Sequence, residues 1–187
     1  MNGNANLLST LRLIRDSELE MMLSWRNAPT VRENMYTTHE ISLNDHLTWY
    51  SSIKQSEQFR YFMYEFQNVP LGIVGFTGID TKNQNSPWAF YASPEAPKGT
   101  GSRMEFVALD YAFGELGLRK LWCEVLDFNK PVIRLHEKFG FNIAGQFKEQ
   151  YFRDGLFFDV FRLELHKSDW LDIRPDILEK LNRLTRR

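Results

Sequence analysis

Cysteine occurs once in the 187 residues, at Cys123, so the chain has no second thiol for an intramolecular disulfide and lacks the thiol set of a structural zinc site. An excess of either charge is missing too. Its 23 Lys and Arg against 24 Asp and Glu leave a net charge of −1, without the basic surplus that nucleic-acid binders use to neutralise phosphates. No run approaches the roughly 18 apolar residues that suggest a membrane span. The stretch Met1 to Thr10 has no basic segment followed by an apolar one. These absences argue against nucleic acid and membrane as partners and make the cytoplasm the expected compartment. What the sequence does hold is aromatic: 14% of its residues are Phe, Trp or Tyr, enough to fill a core and line a pocket. The length, with 43% apolar and 25% charged residues, suits one domain.

Periodicity and punctuation divide the chain. Leu11 to Arg15 reads as a strand, and Asp16 or Ser17 caps a helix that Ala28-Pro29 ends. A second helix, from Ser42 or Asn44 to near Ser56, carries His46, Trp49 and Tyr50. Three strands follow, Phe59 to Phe66, Leu71 to Ile79 and Pro87 to Ala92, with a turn at Gln67 to Pro70; they predict an antiparallel meander. The pattern then changes to helix, strand, helix. Gly99-Thr100-Gly101 opens a helix closing near Gly117, Leu121 to Leu126 is a strand, and Pro131 to Phe139 is a helix that Gly140 ends. Two strands, Ile143 to Phe152 and Phe157 to Leu165, flank the hairpin signal Arg153-Asp154-Gly155, and Asp169 to Arg187 reads as a mixed-charge helix. This order predicts an α/β fold around one mixed sheet.

Two segments carry chemistry. In Ala96-Pro97-Lys98-Gly99-Thr100-Gly101-Ser102, two glycines meet a helix start, whose free N–H groups and positive dipole end can hold a pyrophosphate. Alone, this pattern also fits a simple tight loop. It lacks the Lys-Ser/Thr of a P-loop and the third glycine of a dinucleotide motif. The second segment runs from Asn129-Lys130-Pro131 through Leu135-His136-Glu137-Lys138-Phe139 to Gly140-Phe141.

Together these segments, over residues 11 to 166, resemble the GNAT (GCN5-related N-acetyltransferase) superfamily, leaving 167 to 187 as a helical tail. The resemblance implies a single twisted mixed sheet with flanking helices, a splay between two central parallel strands, and acetyl-CoA as cosubstrate. It further implies that the backbone amides of Lys98, Gly99, Thr100, Gly101 and Ser102 bind the pyrophosphate and that Asn129 reaches the pantetheine arm. Main-chain groups of Phe90, Tyr91 and Ala92 would pair with that arm and polarise the thioester carbonyl. Two residues depart from the pattern. Ala96 replaces the usual Gln or Arg, and His136 stands where many members have a tyrosine that protonates the departing thiolate.

His136 can serve as that acid, or it merely borders the core stripe of Val132, Leu135 and Phe139. Glu124 is the candidate base. Its strand reads as buried on both faces, which would raise the carboxyl pKa and suit it to accept a proton from an ammonium group. A buried pair with Arg103 or Arg119 is the competing role. Cys123 falls on the opposite face from Glu124 with no histidine near it in sequence, so direct attack in a ternary complex is expected over an acyl-enzyme.

On the acceptor side, Arg26, Tyr36, His46, Trp49 and Thr77 are the candidate substrate-binding residues, with Arg26 and His46 suited to an acidic substrate such as a nucleotide diphosphate. Trp25-Arg26-Asn27, Met35-Tyr36, His46 and Trp49, with Phe128 to His136, look like the amino-sugar acetyltransferases of pseudaminic acid biosynthesis. Those enzymes acetylate the 4-amino group of a UDP-linked 4-amino-4,6-dideoxy-N-acetyl-altrosamine, a precursor of the sugar that decorates flagellins. The resemblance thus implies a small nucleotide-sugar acceptor and leaves a homodimer open. A ribosomal-protein-type acetyltransferase and a non-catalytic acyl-CoA-binding module are the alternatives.

Overall fold

The computed structural model describes residues 9–185. Its strands are β1 (Ser9–Leu13), β2 (Arg60–Phe66), β3 (Val69–Phe76), β4 (Asn85–Ala92), β5 (Lys120–Leu126), β6 (Asn142–Arg153) and β7 (Leu156–His166). Its helices are α1 (Leu19–Asn27), the single turn α2 (Pro29–Arg32), α3 (Leu43–Lys54), α4 (Thr100–Phe113), α5 (Lys130–Lys138) and α6 (Lys167–Thr185). The strands form one sheet in the order β1-β2-β3-β4-β5-β7-β6, antiparallel except where β4 runs parallel to β5. This is the mixed α/β sheet the element order predicts. Met1 to Leu8, Arg186 and Arg187 lie outside the described residues.

Local chemistry accounts for most boundaries. The Ser42 hydroxyl accepts the Asp45 N–H and starts α3. Two-residue turns close the hairpins at Gln67-Asn68 (φ 53° and 63°) and Asp154-Gly155 (φ 50° and 80°), the left-handed backbone that matches a right-twisted strand pair. The first turn is shorter than expected because β3 begins at Val69 and admits Pro70 beside a register shift at Tyr64/Glu65. Helix α4 also ends earlier than expected, at Phe113, with Gly114 as its C-cap. Gly117 takes positive φ farther along, in the link to β5.

Alternation along the strands builds a core on each sheet face. Phe62 and Tyr64 turn toward one cluster with Val74, Phe76, Met104 and Ala108. Met63 and Ile73 turn toward the other, with Met22, Trp25, Tyr50 and Ile53 from α1 and α3. Helix α6 covers α4 from outside. Its Trp170, Ile177 and Leu181 enter the first cluster, and Asp110 on α4 accepts hydrogen bonds from the Trp170 indole (3.1 Å) and from both Nε and Nη2 of Arg174 (2.6 and 2.7 Å).

The parallel pair creates the functional opening. β4 and β5 are in register only at Asn85↔Lys120, Ser86↔Leu121 and Pro87↔Trp122. Beyond Pro87 the strands separate, and the β4 edge from Trp88 to Ala92 has no strand partner on that side among the described residues.

Candidate functional site

The diverging strands leave a cavity of about 360 Å³, lined by Phe90, Tyr91 and Ala92 on β4, Cys123, Glu124 and Val125 on β5, and Asn129, Val132 and His136 around α5. Asn129 is the N-cap residue of α5, yet its side chain makes no capping bond. Its carbonyl accepts the Val132 and Ile133 N–H groups, which leaves the amide free to face a ligand.

Gly99 precedes α4 with φ +89°, a conformation that favours glycine. The Arg103 N–H closes the first helical turn on the Gly99 carbonyl, and the N–H and hydroxyl of Thr100 both donate to the Pro97 carbonyl. The Thr100 amide is therefore engaged, which corrects the expectation of five free amides; Lys98, Gly99, Gly101 and Ser102 remain the candidate anion donors at this helix N-terminus. This donor set fits a pyrophosphate. Gly101 packs closely as well, since a Cβ there would lie 3.3 Å from Leu135 and 3.8 Å from Phe90. The substitution Gly101→Glu places bulk and negative charge at this point. It is expected to weaken acetyl-CoA binding at least about 100-fold in calorimetry, and unchanged affinity in the folded variant would contradict the assignment.

Glu124 is exposed, and Trp122 is only half-buried. The expectation of a strand covered on both faces fails here because α1 and α3 cover β2 and β3 but do not reach this part of β5. The desolvation argument for a strengthened base fails with it. Glu124 lines the cavity instead between the Tyr36 hydroxyl, which donates to it at 3.1 Å, and Arg162, whose Nη2 donates at 2.9 Å. Its cation is thus Arg162, the residue opposite it on β7, and neither Arg103 nor Arg119. Burial, reinforced by the Glu124 carboxylate, pushes the Tyr36 phenol up, so it stays a hydrogen-bond donor.

His136 is buried, borders the aromatic core as one reading expected, and lines the cavity at the same time. Its Nδ1 lies 2.8 Å from Oε1 of Glu105, a fully buried carboxylate on α4 that sequence reasoning missed. Burial alone would push the imidazole down. The Glu105 carboxylate and the Cys123 thiol together outweigh it, and the imidazole is pushed up to about 10. Burial in turn pushes the Glu105 carboxyl up against the opposing pull of His136; the two groups hold one proton between them. Cys123 lies on the cavity side with His136 as a neighbour in space, although no histidine is near it in sequence.

A second cavity, of about 430 Å³, lies across β4 and shares Met35, Ala89 and Tyr91 with the first. Its wall brings together Arg26, His46 and Trp49 with Tyr61 and Thr37. The Trp25-Arg26-Asn27 run divides its labour. Trp25 enters the core, Arg26 faces the cavity, and the Asn27 side chain pairs with both backbone groups of Ile41, fixing the loop that roofs it. Arg26 Nη2 donates to the Thr37 carbonyl at 3.3 Å, whereas its Nη1 is buried without a partner. Burial pushes the guanidinium down against a smaller opposing effect of Tyr91. Burial also pushes His46 down, more than the Leu19 carbonyl hydrogen-bonded to the ring pushes it up, so the ring is neutral near pH 7 and its unpartnered Nε2 is an acceptor. Trp49 stacks on His46 and meets Tyr61 edge-on. Thr77 and Tyr36 line neither cavity; Thr77 follows the end of β3, with its backbone tied to Pro87 and Ser86.

A sheet splayed between its parallel strands, a glycine-opened helix at one end of the gap and a second cavity across β4 are the architecture of an acyl-CoA-dependent N-acyltransferase. The chain belongs to the GNAT acetyltransferases: the acetyltransferase (GNAT) domain family matches residues 9–142. It is an N-acetyltransferase, and acetyl-CoA is the cosubstrate typical of the family. A Bacillus subtilis protein described as the SPbeta prophage-derived uncharacterized N-acetyltransferase YokL is 30% identical over 80% of this chain and 85% of its own length. The acetyltransferase PseH of Campylobacter jejuni is 27% identical over 74% and 85%. A spermidine N-acetyltransferase from Vibrio cholerae, solved with CoA and spermine, superposes with a TM-score of 0.82 over 88% of this chain and 99% of its own at 24% identity, a likeness of fold. No helix among the described residues is long and apolar enough to cross a membrane.

Proposed function

We propose that this enzyme acetylates the 4-amino group of a UDP-linked 4-amino-4,6-dideoxy-N-acetyl-altrosamine, a step of pseudaminic acid synthesis for flagellin glycosylation. The observation that carries this reading is the polar equipment of the acceptor cavity. It offers a buried, unpartnered Arg26 donor and a neutral His46 acceptor between aromatic rings. An unpaired buried donor or acceptor is costly unless a ligand completes it. A sugar bearing hydroxyl and acetamido groups supplies both partners, and the ring faces of Trp49 and Tyr61 suit its apolar side. A polyamine does not fit this wall: Asp45 is the one carboxylate among the described residues lining the cavity, and Ser42 already bonds it. The likeness to PseH supports the same reading.

In the mechanism, the amine attacks the thioester directly. Glu124, in contact with the cofactor cavity, takes the amine proton directly or through a water molecule, the freed β4 edge at Phe90 and Tyr91 holds the oxyanion, and His136 protonates the CoA sulfur.

The reading is tested by Arg26→Gln. The variant is expected to raise KM for the nucleotide sugar about 10-fold or more, with KM for acetyl-CoA moved less than about twofold. An unchanged acceptor KM in the folded variant would remove the cavity from acceptor recognition.

A further inference from the structure

His136 occupies a position where a phenol would carry its own proton. An unperturbed tyrosine holds that proton to about pH 10, whereas an unperturbed histidine loses its own at about 6.5. An imidazole in this place needs help to remain an acid at neutral pH, and the interior side of the ring holds the one group able to give it.

We propose that Glu105 is a positioning residue for acetyl transfer: its carboxylate, 2.8 Å from Nδ1, fixes the ring so that Nε2 faces the cavity and keeps it supplied with the proton the leaving thiolate takes. The proposal rests on His136 being the acid. When the tetrahedral intermediate collapses, the C–S bond breaks and its electron pair goes to sulfur. The Nε2 proton passes to that sulfur, giving CoA thiol and a neutral imidazole, which takes a proton from solvent before the next turnover.

Three observations support the role. Glu105 is fully buried in mid-helix, where a carboxylate is rare without a partner. Its partner is His136, and its second oxygen is buried without one, so no lysine or arginine among the described residues accounts for it. The remaining groups against the ring among the described residues are Cys123 from β5, whose thiol favours the imidazolium to a smaller extent than Glu105, and the aromatic side chains of Trp88, Phe90 and Phe141. The direction of the His136 shift agrees, bringing it to about 10, the range of an unperturbed phenol.

The test compares pH profiles of kcat for the wild type, Glu105→Gln, His136→Tyr and the double variant, with melting curves to confirm folding. With the acid required in its protonated form, wild-type kcat falls only as pH rises toward about 10. In Glu105→Gln, only the Cys123 thiol still opposes burial at the ring, the fall moves down toward the ordinary imidazole value of about 6.5, and kcat at pH 8 drops about 30-fold with both KM values within about twofold. In the His136→Tyr background, Glu105→Gln costs less than about threefold, because a phenol needs no carboxylate. A folded Glu105→Gln with the wild-type profile, or one equally impaired in the tyrosine background, would overturn the proposal. Should Glu105→Gln not fold, NMR titration of the wild-type His136 ring decides: an imidazolium signal persisting through pH 8 supports the role and a neutral ring by pH 7 overturns it. An unchanged kcat in His136→Phe would instead remove the acid assignment beneath it.

Discussion

Replacing His136 by phenylalanine is expected to lower kcat about 100-fold at neutral pH while moving the KM for either substrate by less than about threefold. The ring volume is retained, so the aromatic packing against Trp88, Phe90 and Phe141 persists. What disappears is the proton available to sulfur as the thioester carbon expels it, an interaction that develops only in the transition state and therefore acts on kcat. The substitution also leaves Glu105 buried without its partner, which costs stability; kcat is therefore measured well below the variant's melting temperature. Steady-state release of free thiol provides the readout, and a kcat within twofold of wild type would show that another group protonates CoA.

The second large effect is expected at the other end of the proton path. Glu124→Gln keeps an oxygen for the Tyr36 hydroxyl but loses the ability to take a proton. Acceptor kcat/KM is expected to fall about 100-fold near pH 6.5 and only about 10-fold near pH 9. The sign follows from the substrate: at low pH the acceptor is mostly ammonium and needs the base, whereas at high pH more of it arrives already deprotonated. A uniform loss across this range would mean that Glu124 positions the acceptor and does not carry the proton. Because Glu124 is exposed beside Arg162, its contribution comes from placement on the cavity wall.

These two groups differed in how far the sequence could disclose them. The glycine loop and Asn129 were legible because helix starts and caps are local, set within a few residues by backbone conformation. The strand Leu121 to Leu126 was also placed closely, yet the environment of Glu124 was misjudged, since whether a strand face is covered depends on which helices reach it. Arg162 became its partner through β-sheet register across 38 residues, which no spacing rule conveys. Glu105 was hidden for a related reason. On α4 it lies beside the apolar stripe of Met104, Val107 and Ala108, and its burial against His136 of α5 joins residues 31 apart in the chain. Tyr36 and Thr77 were grouped with the acceptor residues, but they belong respectively to a loop folded against Glu124 and to the end of β3. Arg26, His46 and Trp49 come from two helices whose packing forms one cavity wall, and the unpartnered nitrogen atoms there are visible only in three dimensions.

The claim that this cavity receives a nucleotide-linked amino sugar is tested most directly by acceptor competition at fixed acetyl-CoA. Thiol release is followed with the UDP-linked 4-amino sugar, spermidine, free lysine and peptides ending in Ser, Ala or Arg. The account predicts that the nucleotide sugar has a kcat/KM at least about 100-fold above every other acceptor, since two buried polar groups go unpaired with the wrong one. A higher kcat/KM for spermidine or for any of the peptides would contradict it.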